Sequence, residues 1–428
     1  MRSPAAHVTT PMPPRPTDSP RPRAPSWTGG QYSLARALLG AVVAAWFATI
    51  ALGAWRMPPV EMLARTGSAG GAGAATGIAL TGLFAALLFA AGAGDRASSV
   101  TVIVAGGLLA ATGHASTGAG GLAVAGVLLA HLATPPAPYG SWAARGRTDP
   151  AVPWSPGRGW RHAVWFALAL AQVVAAAQAF AAGQALDRAR AFAGPGAAGA
   201  TAGFDKFAAA ALAAGLVAGA IVPRWRMAVF AAAAVVEAGR CLAAIAGVGA
   251  LGALDPRATG VAVEAGAFLG ALLFAFDPAW IRGERDARGS VLFYDGGCGL
   301  CHGAVRFVVA EDPEGATFRF ASLQSGLLGE RLPEAQRRDL PDSLVVLAAD
   351  GRVRTRSAAV RFILRALGGY WTIIGRLGIL VPARAADALY DFVARRRRRW
   401  FAAPVTACPV ISPALRQRFL DTANGKDR

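Results

Sequence analysis

The sequence predicts an all-α polytopic membrane bundle of about eight spans followed by a small α/β domain. Three observations lead there. Hydrophobic residues make up 54% of the 428-residue chain and charged residues only 16%, and long Ala/Gly-rich stretches in the first two thirds carry no charge. Apolar runs approaching span length recur up to Trp280. Beyond Trp280 the pattern changes to short alternating and helical-period segments, as in a water-soluble α/β fold.

The elements are taken in chain order. Residues 1–32 are rich in Pro and Arg and read as a disordered basic tail. Apolar runs follow at 34–55, 72–92, 100–112, 118–133, 163–182, 207–222, 227–248 and 261–276, within a membrane domain of residues 33–280. The third and fourth runs are short and read as one long helix or a re-entrant pair, with seven spans as the alternative to eight. Basic residues set the orientation. Arg2, Arg15, Arg21 and Arg23 in the tail, Arg145, Arg147, Arg158 and Arg161 after the fourth run, and Arg224 and Arg226 after the sixth all fall on one side of an eight-span chain. That side reads as cytoplasmic, and it also carries both termini and everything after Asp277. The formal net charge of +18 comes almost wholly from Arg, with Lys only at 206 and 426. Anionic lipid accounts for the charge, and no nucleic-acid-binding motif accompanies it. The expected partner of this half is therefore the lipid bilayer, in a multi-pass cell-membrane protein.

Residues 281–289, IRGERDARG, read as a charged linker. The α/β domain, residues 290–422, opens with a β-rich run at 290–294 and a helical run at 299–310. A strand follows at 317–321, then a hairpin over 343–355 with Gly351 in its turn, then a helix at 356–367.

The stretch VLFYDGGCGLCHGAVRF carries the chemistry. A strand runs through a Gly-Gly turn into Cys298-Gly-Leu-Cys301 and then a helix. At a helix N-terminus Cys298 meets unpaired N–H groups and the positive end of the helix dipole, both of which favour thiolate. Cys301 lies one turn on, on the same face. Cys298 is thus expected to be the exposed nucleophile and Cys301 the resolving thiol. Asp295, three residues earlier, serves either as a helix N-cap or turn residue or as a proton acceptor for one thiol. No metal or organic cofactor is required. CGLCH also fits the c-type haem pattern, but no Met and no second His follows His302 to supply another axial ligand. Zinc is weaker still, since a structural site needs four ligands and the domain offers the two close Cys, His302 and at most Cys408; His302 itself reads as a surface helix residue.

Asp295, Cys298 and Cys301, as DxxCxxC, resemble the signature of the DCC family of thiol–disulfide oxidoreductases. The likeness continues in order and spacing through ASLQS (321–325), DSLVVL…DGRVRTRSAAV (342–360), LGGYW (367–371), VPARAADALYDFVARRR (381–397) and RWF…ACP (399–409), covering residues 290–420. It implies a thioredoxin-like fold, a redox activity, and protein or small-molecule thiols and disulfides as partners. Cys408 matches a Cys near the family's C-terminus, and reads as a third thiol or a buried small residue. The segment 394–399 departs from the family, which more often has an Asn and an aromatic among these Arg residues. LLFAFDPAW (272–280) is similar to multi-span domains fused to such modules.

Within the apolar runs Glu237 and Arg240 stand three apart on one helix, either a functional intramembrane pair or a self-neutralising one. Arg395–Arg399 with Trp400 and Phe401 reads as a solvated helix end or as a segment resting on lipid headgroups. Two functions follow: a membrane-tethered thiol–disulfide oxidoreductase, or a transporter or scaffold whose CxxC domain senses redox state.

Overall fold

The computed structural model describes residues 27–56, 71–115, 118–145, 154–157, 159–193, 200–250, 256–284, 287–338, 340–341, 343–401 and 413–423. Among these, each of the eight apolar runs falls in a helix: α1 (Gly29–Arg56), α2 (Gly71–Ala91), α3 (Asp95–Ala111), α4 (Ala119–His131), α5 (Trp160–Ala193), α6 (Ala200–Ile221), α7 (Arg226–Ala250) and α8 (Pro256–Leu272). The third and fourth runs are separate helices. Among the described residues four stretches are long and apolar enough to cross a membrane: Gly29–Gly53, Gly73–Ala91, Trp160–Ala181 and Pro223–Ala246. Only 17% of the last is buried, so most of that helix turns apolar side chains such as Val235 and Leu242 outward. Such a surface suits hydrocarbon better than water. The helices pack through Ala-rich seams around Tyr32, Phe47, Phe89, Trp165 and Phe268, all fully buried.

One end of the bundle is closed by an aromatic cluster. Trp27 meets Trp160 at 5.8 Å, Tyr370 at 5.6 Å and Phe274 at 6.3 Å between ring centroids. This corrects the expected tail boundary: Trp27 is buried and α1 begins at Gly29, because the aromatic cluster and a carboxylate described below hold its first turn. Residues 1–26 of the expected tail lie outside the described residues.

The C-terminal part holds a four-stranded sheet of β1 (Ser290–Tyr294), β2 (Phe318–Ser322), β3 (Val345–Leu347) and β4 (Val353–Thr355), in the order β2-β1-β3-β4. β1 runs parallel to β2, with Leu292 opposite Phe320, and antiparallel to β3, with Leu292 opposite Val346. β3 and β4 form the hairpin, with Gly351 at φ 79° in the turn. All five residues of β1 are buried, as its central place requires. Its alternating side chains feed two cores. Leu292 and Tyr294 pack with Phe318, Val305 and Phe362, while Val291 and Phe293 pack with Ala321 and Val345 on the other face.

The helices of this part are α9 (Gly299–Glu311), α10 (Leu327–Arg331), α11 (Glu334–Arg338), α12 (Arg356–Leu367), α13 (Gly369–Leu377), α14 (Ala383–Trp400), α15 (Pro413–Arg416) and α16 (Leu420–Ala423). Residues 281–284 of the segment expected as a linker are packed: Gly369 N donates to Ile281 O at 2.8 Å and Glu284 N to Arg365 O at 3.1 Å. Backbone groups leaving the bundle find partners on α12 and α13, so the connection is a joint between the two parts.

That joint centres on Glu311, the last residue of α9. Its carboxylate accepts from Thr28 Oγ1, from Gly30 N at 2.9 Å and from Trp371 Nε1 at 2.5 Å, so a side chain of the α/β domain caps the first helix of the bundle. A Cβ on Gly30 would collide with this carboxylate. Tyr370 adds a donor to Leu273 O, a stack on Phe276 at 4.5 Å, and an N–H to Gln31 Oε1 at 3.2 Å.

Candidate functional site

β1 ends at Tyr294, and Asp295-Gly296-Gly297 turns the chain into α9. Cys298 itself is the N-cap residue: its backbone is extended (φ −113°, ψ 116°) and its Sγ accepts the Cys301 N–H at 3.4 Å. A sulfur in the place usually taken by a Ser or Asp oxygen thus receives a helix N–H at the positive end of the helix dipole. Of the two structural roles expected for Asp295, cap or turn residue, the cap falls to Cys298. Asp295 organises the turn instead, its Oδ1 accepting from Gly297 N at 3.0 Å and from Gln324 Nε2 at 3.1 Å. Its Oδ2 pairs with Arg397 Nη2 at 3.1 Å, with both side chains buried, 8% and 4% exposed.

Both thiols are free and buried, Cys298 at 1% and Cys301 at 8% exposure. The expectation of an exposed Cys298 is therefore corrected: the thiol sits among Tyr294, Val305 and their neighbours in the larger core of the domain. Burial pushes the Cys301 thiol up to about 12, and the hydrogen bond and charge of Cys298 push the same way. The Asp295 backbone N–H and the Arg397 charge oppose them. Cys301 is thus held as a neutral thiol.

His302 is also corrected. It is buried, its Nε2 lies 2.8 Å from Gly296 O, and its ring meets Tyr294 edge-on at 5.6 Å. It pins the Gly-Gly turn from the helix side. Among the described residues no group of three His, Cys, Asp or Glu is arranged to hold a metal. Cys408 lies outside the described residues.

Arg397 is the site residue that sequence reasoning missed. It hides in the run Arg395–Arg399, where composition alone suggests solvent or lipid. Helical period reveals it, since Ala386, Tyr390, Val393 and Arg397 share the inward face of α14. Tyr390 Oη accepts the Leu344 N–H at 2.9 Å from that face.

Glu237 and Arg240 stand apart from this site, in the bundle. Arg240 Nη1 reaches Glu237 Oε1 and Oε2 at 3.0 and 3.1 Å, and Gln172 of α5 donates to Oε1 at 3.2 Å. The buried carboxylate is satisfied within the bundle, tying α5 to α7.

The fold and site define an α/β domain with a CxxC at the mouth of its first helix, docked on a helical bundle with four helices able to span a membrane. Residues 292–403 match the family model described as DCC1-like thiol-disulfide oxidoreductase. The chain is 39% identical over 134 residues to the uncharacterized protein YuxK of Bacillus subtilis (strain 168), covering 93% of that protein and 30% of this one. It is 33% identical over 118 residues to the DCC family protein At1g52590, chloroplastic, of Arabidopsis thaliana, covering 67% of that protein and 28% of this one. Through its C-terminal domain the chain belongs to the DCC1-like thiol-disulfide oxidoreductase family. No solved structure matches it.

Proposed function

We propose that this chain is a membrane-tethered thiol–disulfide oxidoreductase in which Cys298 attacks and Cys301 resolves. The observation that carries the reading is the asymmetry of two buried thiols: Cys298 caps the helix and receives its N–H, while the Cys301 thiol is pushed up to about 12. The Cys298 thiolate attacks one sulfur of a partner disulfide, and the other sulfur leaves as a thiolate and takes a proton. Cys301 then gives up its proton and attacks Cys298 in the mixed disulfide, releasing the second partner thiolate and leaving a Cys298–Cys301 disulfide. A partner dithiol reduces that disulfide by the reverse steps. Asp295, whose backbone N–H favours the Cys301 thiolate, lies beside the pair and is the acceptor for its proton. Arg397 positions Asp295. No step needs a metal or an organic cofactor.

Sheet order β2-β1-β3-β4, with a parallel first pair, an antiparallel hairpin and the CxxC after β1, supports a thioredoxin-like fold. For the bundle we propose eight spans with both termini and the redox domain cytoplasmic. In support, Arg36, Arg161 and Arg226 gather at the end where the α/β domain docks: Arg36 pairs with Asp95, Arg161 with Asp277, and Arg226 binds Gly219 O at 2.9 Å. A second reading, a redox sensor acting on the bundle, draws on Glu311, which joins the cysteine helix directly to α1.

The test is a trapping contrast in intact cells. Cys301→Ser is expected to accumulate reductant-sensitive mixed disulfides with partner proteins, and Cys298→Ser is not. Equal trapping by both would overturn the assignment of nucleophile. No trapping by either, with wild type staying reduced under oxidant, would overturn the exchange reaction.

A further inference from the structure

We infer that the end of α13 and the outer face of α14 form a second membrane contact, resting on the anionic headgroups of the same bilayer that holds the bundle. The inference rests on the bundle being membrane-embedded and adds a lipid-binding surface to the redox domain.

The surface is apolar at its tip. Ile379 and Leu380 are 75% and 76% exposed, and Leu377 and Val381 beside them are also exposed. Four consecutive-turn aliphatic side chains held in water at this exposure, in a domain with two well-packed cores, call for a covering phase. The rest of the surface is basic. Arg376, Arg384, Arg395 and Arg399 face outward, and Arg396 lies 3.8 Å over the Phe392 ring, itself edge-on to Trp400 at 6.0 Å. The two carboxylates of α14 do not offset this charge on the outer face. Asp387 is bound by the N–H and hydroxyl of Ser357 at 3.2 and 2.6 Å, and Asp391 by Arg356 at 3.2 Å, both on α12. α14 therefore presents Arg and aromatic side chains outward, while Arg397 turns inward to Asp295. Basic and aromatic side chains around an apolar tip match an acidic lipid interface.

Continuity with the bundle identifies the occupant. α13 starts at Gly369–Tyr370, which is fastened to the bundle through Gln31, Leu273 and Phe276. At about 1.5 Å per residue, Leu377 and Leu380 lie on the order of 10–15 Å from that attachment. The patch is thereby held beside the bundle end to which Tyr370 is fastened.

The experiment is limited trypsin digestion of the full-length protein in nanodiscs of phosphatidylcholine alone or of phosphatidylcholine with phosphatidylglycerol. Cleavage after Arg395, Arg396 and Arg399 is quantified by mass spectrometry against cleavage after the exposed Arg337 and Arg338. Anionic discs are expected to slow the first set on the order of tenfold, with added salt restoring it. Ile379→Asp with Leu380→Asp, a change at two exposed positions, is expected to abolish the protection while thiol exchange persists. Equal cleavage in the two lipids, or protection unchanged in the double variant, overturns the inference. So does protection that appears in neutral discs and grows with protein concentration, which would mark a second copy of the chain as the occupant. Failure of the protein to enter nanodiscs at all would instead overturn the membrane reading on which the inference rests.

Discussion

Arg397→Ala isolates the contribution of the buried pair to the site. The substitution removes the guanidinium that lies 3.1 Å from Asp295 Oδ2 and leaves a carboxylate only 8% exposed without that cation. Breaking a buried ion pair from one side costs about 3–5 kcal/mol. Both thiols are buried, so alkylation requires the site to open. If the loss falls on the closed state, the open population rises by the same free energy. At about 1.4 kcal/mol per tenfold, that is roughly two to three and a half orders of magnitude. The assay is N-ethylmaleimide labelling of Cys298 in full-length protein in nanodiscs, read peptide by peptide by mass spectrometry. Arg397→Ala should label faster on that scale, and Arg397→Ala with Asp295→Asn should recover much of the protection, because no unpaired charge is left behind. A labelling rate within twofold of wild type for the single variant, or strictly additive effects in the double, would refute the argument.

Because burial, the largest cause of the raised Cys301 thiol, persists without Cys298, its alkylation in Cys298→Ser should still be rising above the pH of about 8.5 at which an ordinary thiol is half ionised. The sign for stability follows: the contribution of the neutral thiol is complete below about pH 8.5 and is lost as pH climbs through the raised value, which alkaline unfolding of wild type and Cys301→Ser would compare. Glu311→Ala leaves several buried donors without an acceptor, at about 1–3 kcal/mol each, and should raise tryptic cleavage after Arg282 as the joint loosens. Burial also pushes the Glu311 carboxyl up, so its share of the docking is present below the usual glutamate range and falls as pH rises through the raised value; Glu311→Gln should flatten that dependence. Reporter fusions after Asp277 and after Arg428 should both signal the cytoplasm, and an external signal at either would overturn the eight-span orientation.

The local pattern was legible wherever neighbours in sequence determine it. The strand at 290–294, the helix opened by the CxxC, the hairpin around Gly351 and the helix at 356–367 follow from period, turn chemistry and propensity, and the structure holds all four. Each of the eight apolar runs likewise became helix. What misled was exposure. Cys298 and His302 sit at a helix start beside glycines, a pattern usually open to water, yet both are buried because the turn folds back under Tyr294 and the domain's larger core. The linker was read from its charges, but its backbone groups and Gly283 are packed against Arg365 and Ala366 of α12.

By itself the sequence determined the two-part plan, the DxxCxxC signature and the family. These rest on composition, on hydrophobic period and on residues close together in the chain. Tertiary structure alone decided which distant charges meet. Arg397 reaches Asp295 across 102 positions, and Glu311 caps a helix whose Gly30 is 281 positions away. Helical period places Arg397 on the inward face of its helix but does not name its partner, and nothing in the local pattern marks Glu311. A lone Arg in a basic run and a Glu at a helix end satisfy every short-range rule equally well in water. Only the packing of α14 against the CxxC turn, and of α9 against the first turn of α1, removes that water and makes each charge depend on its particular partners.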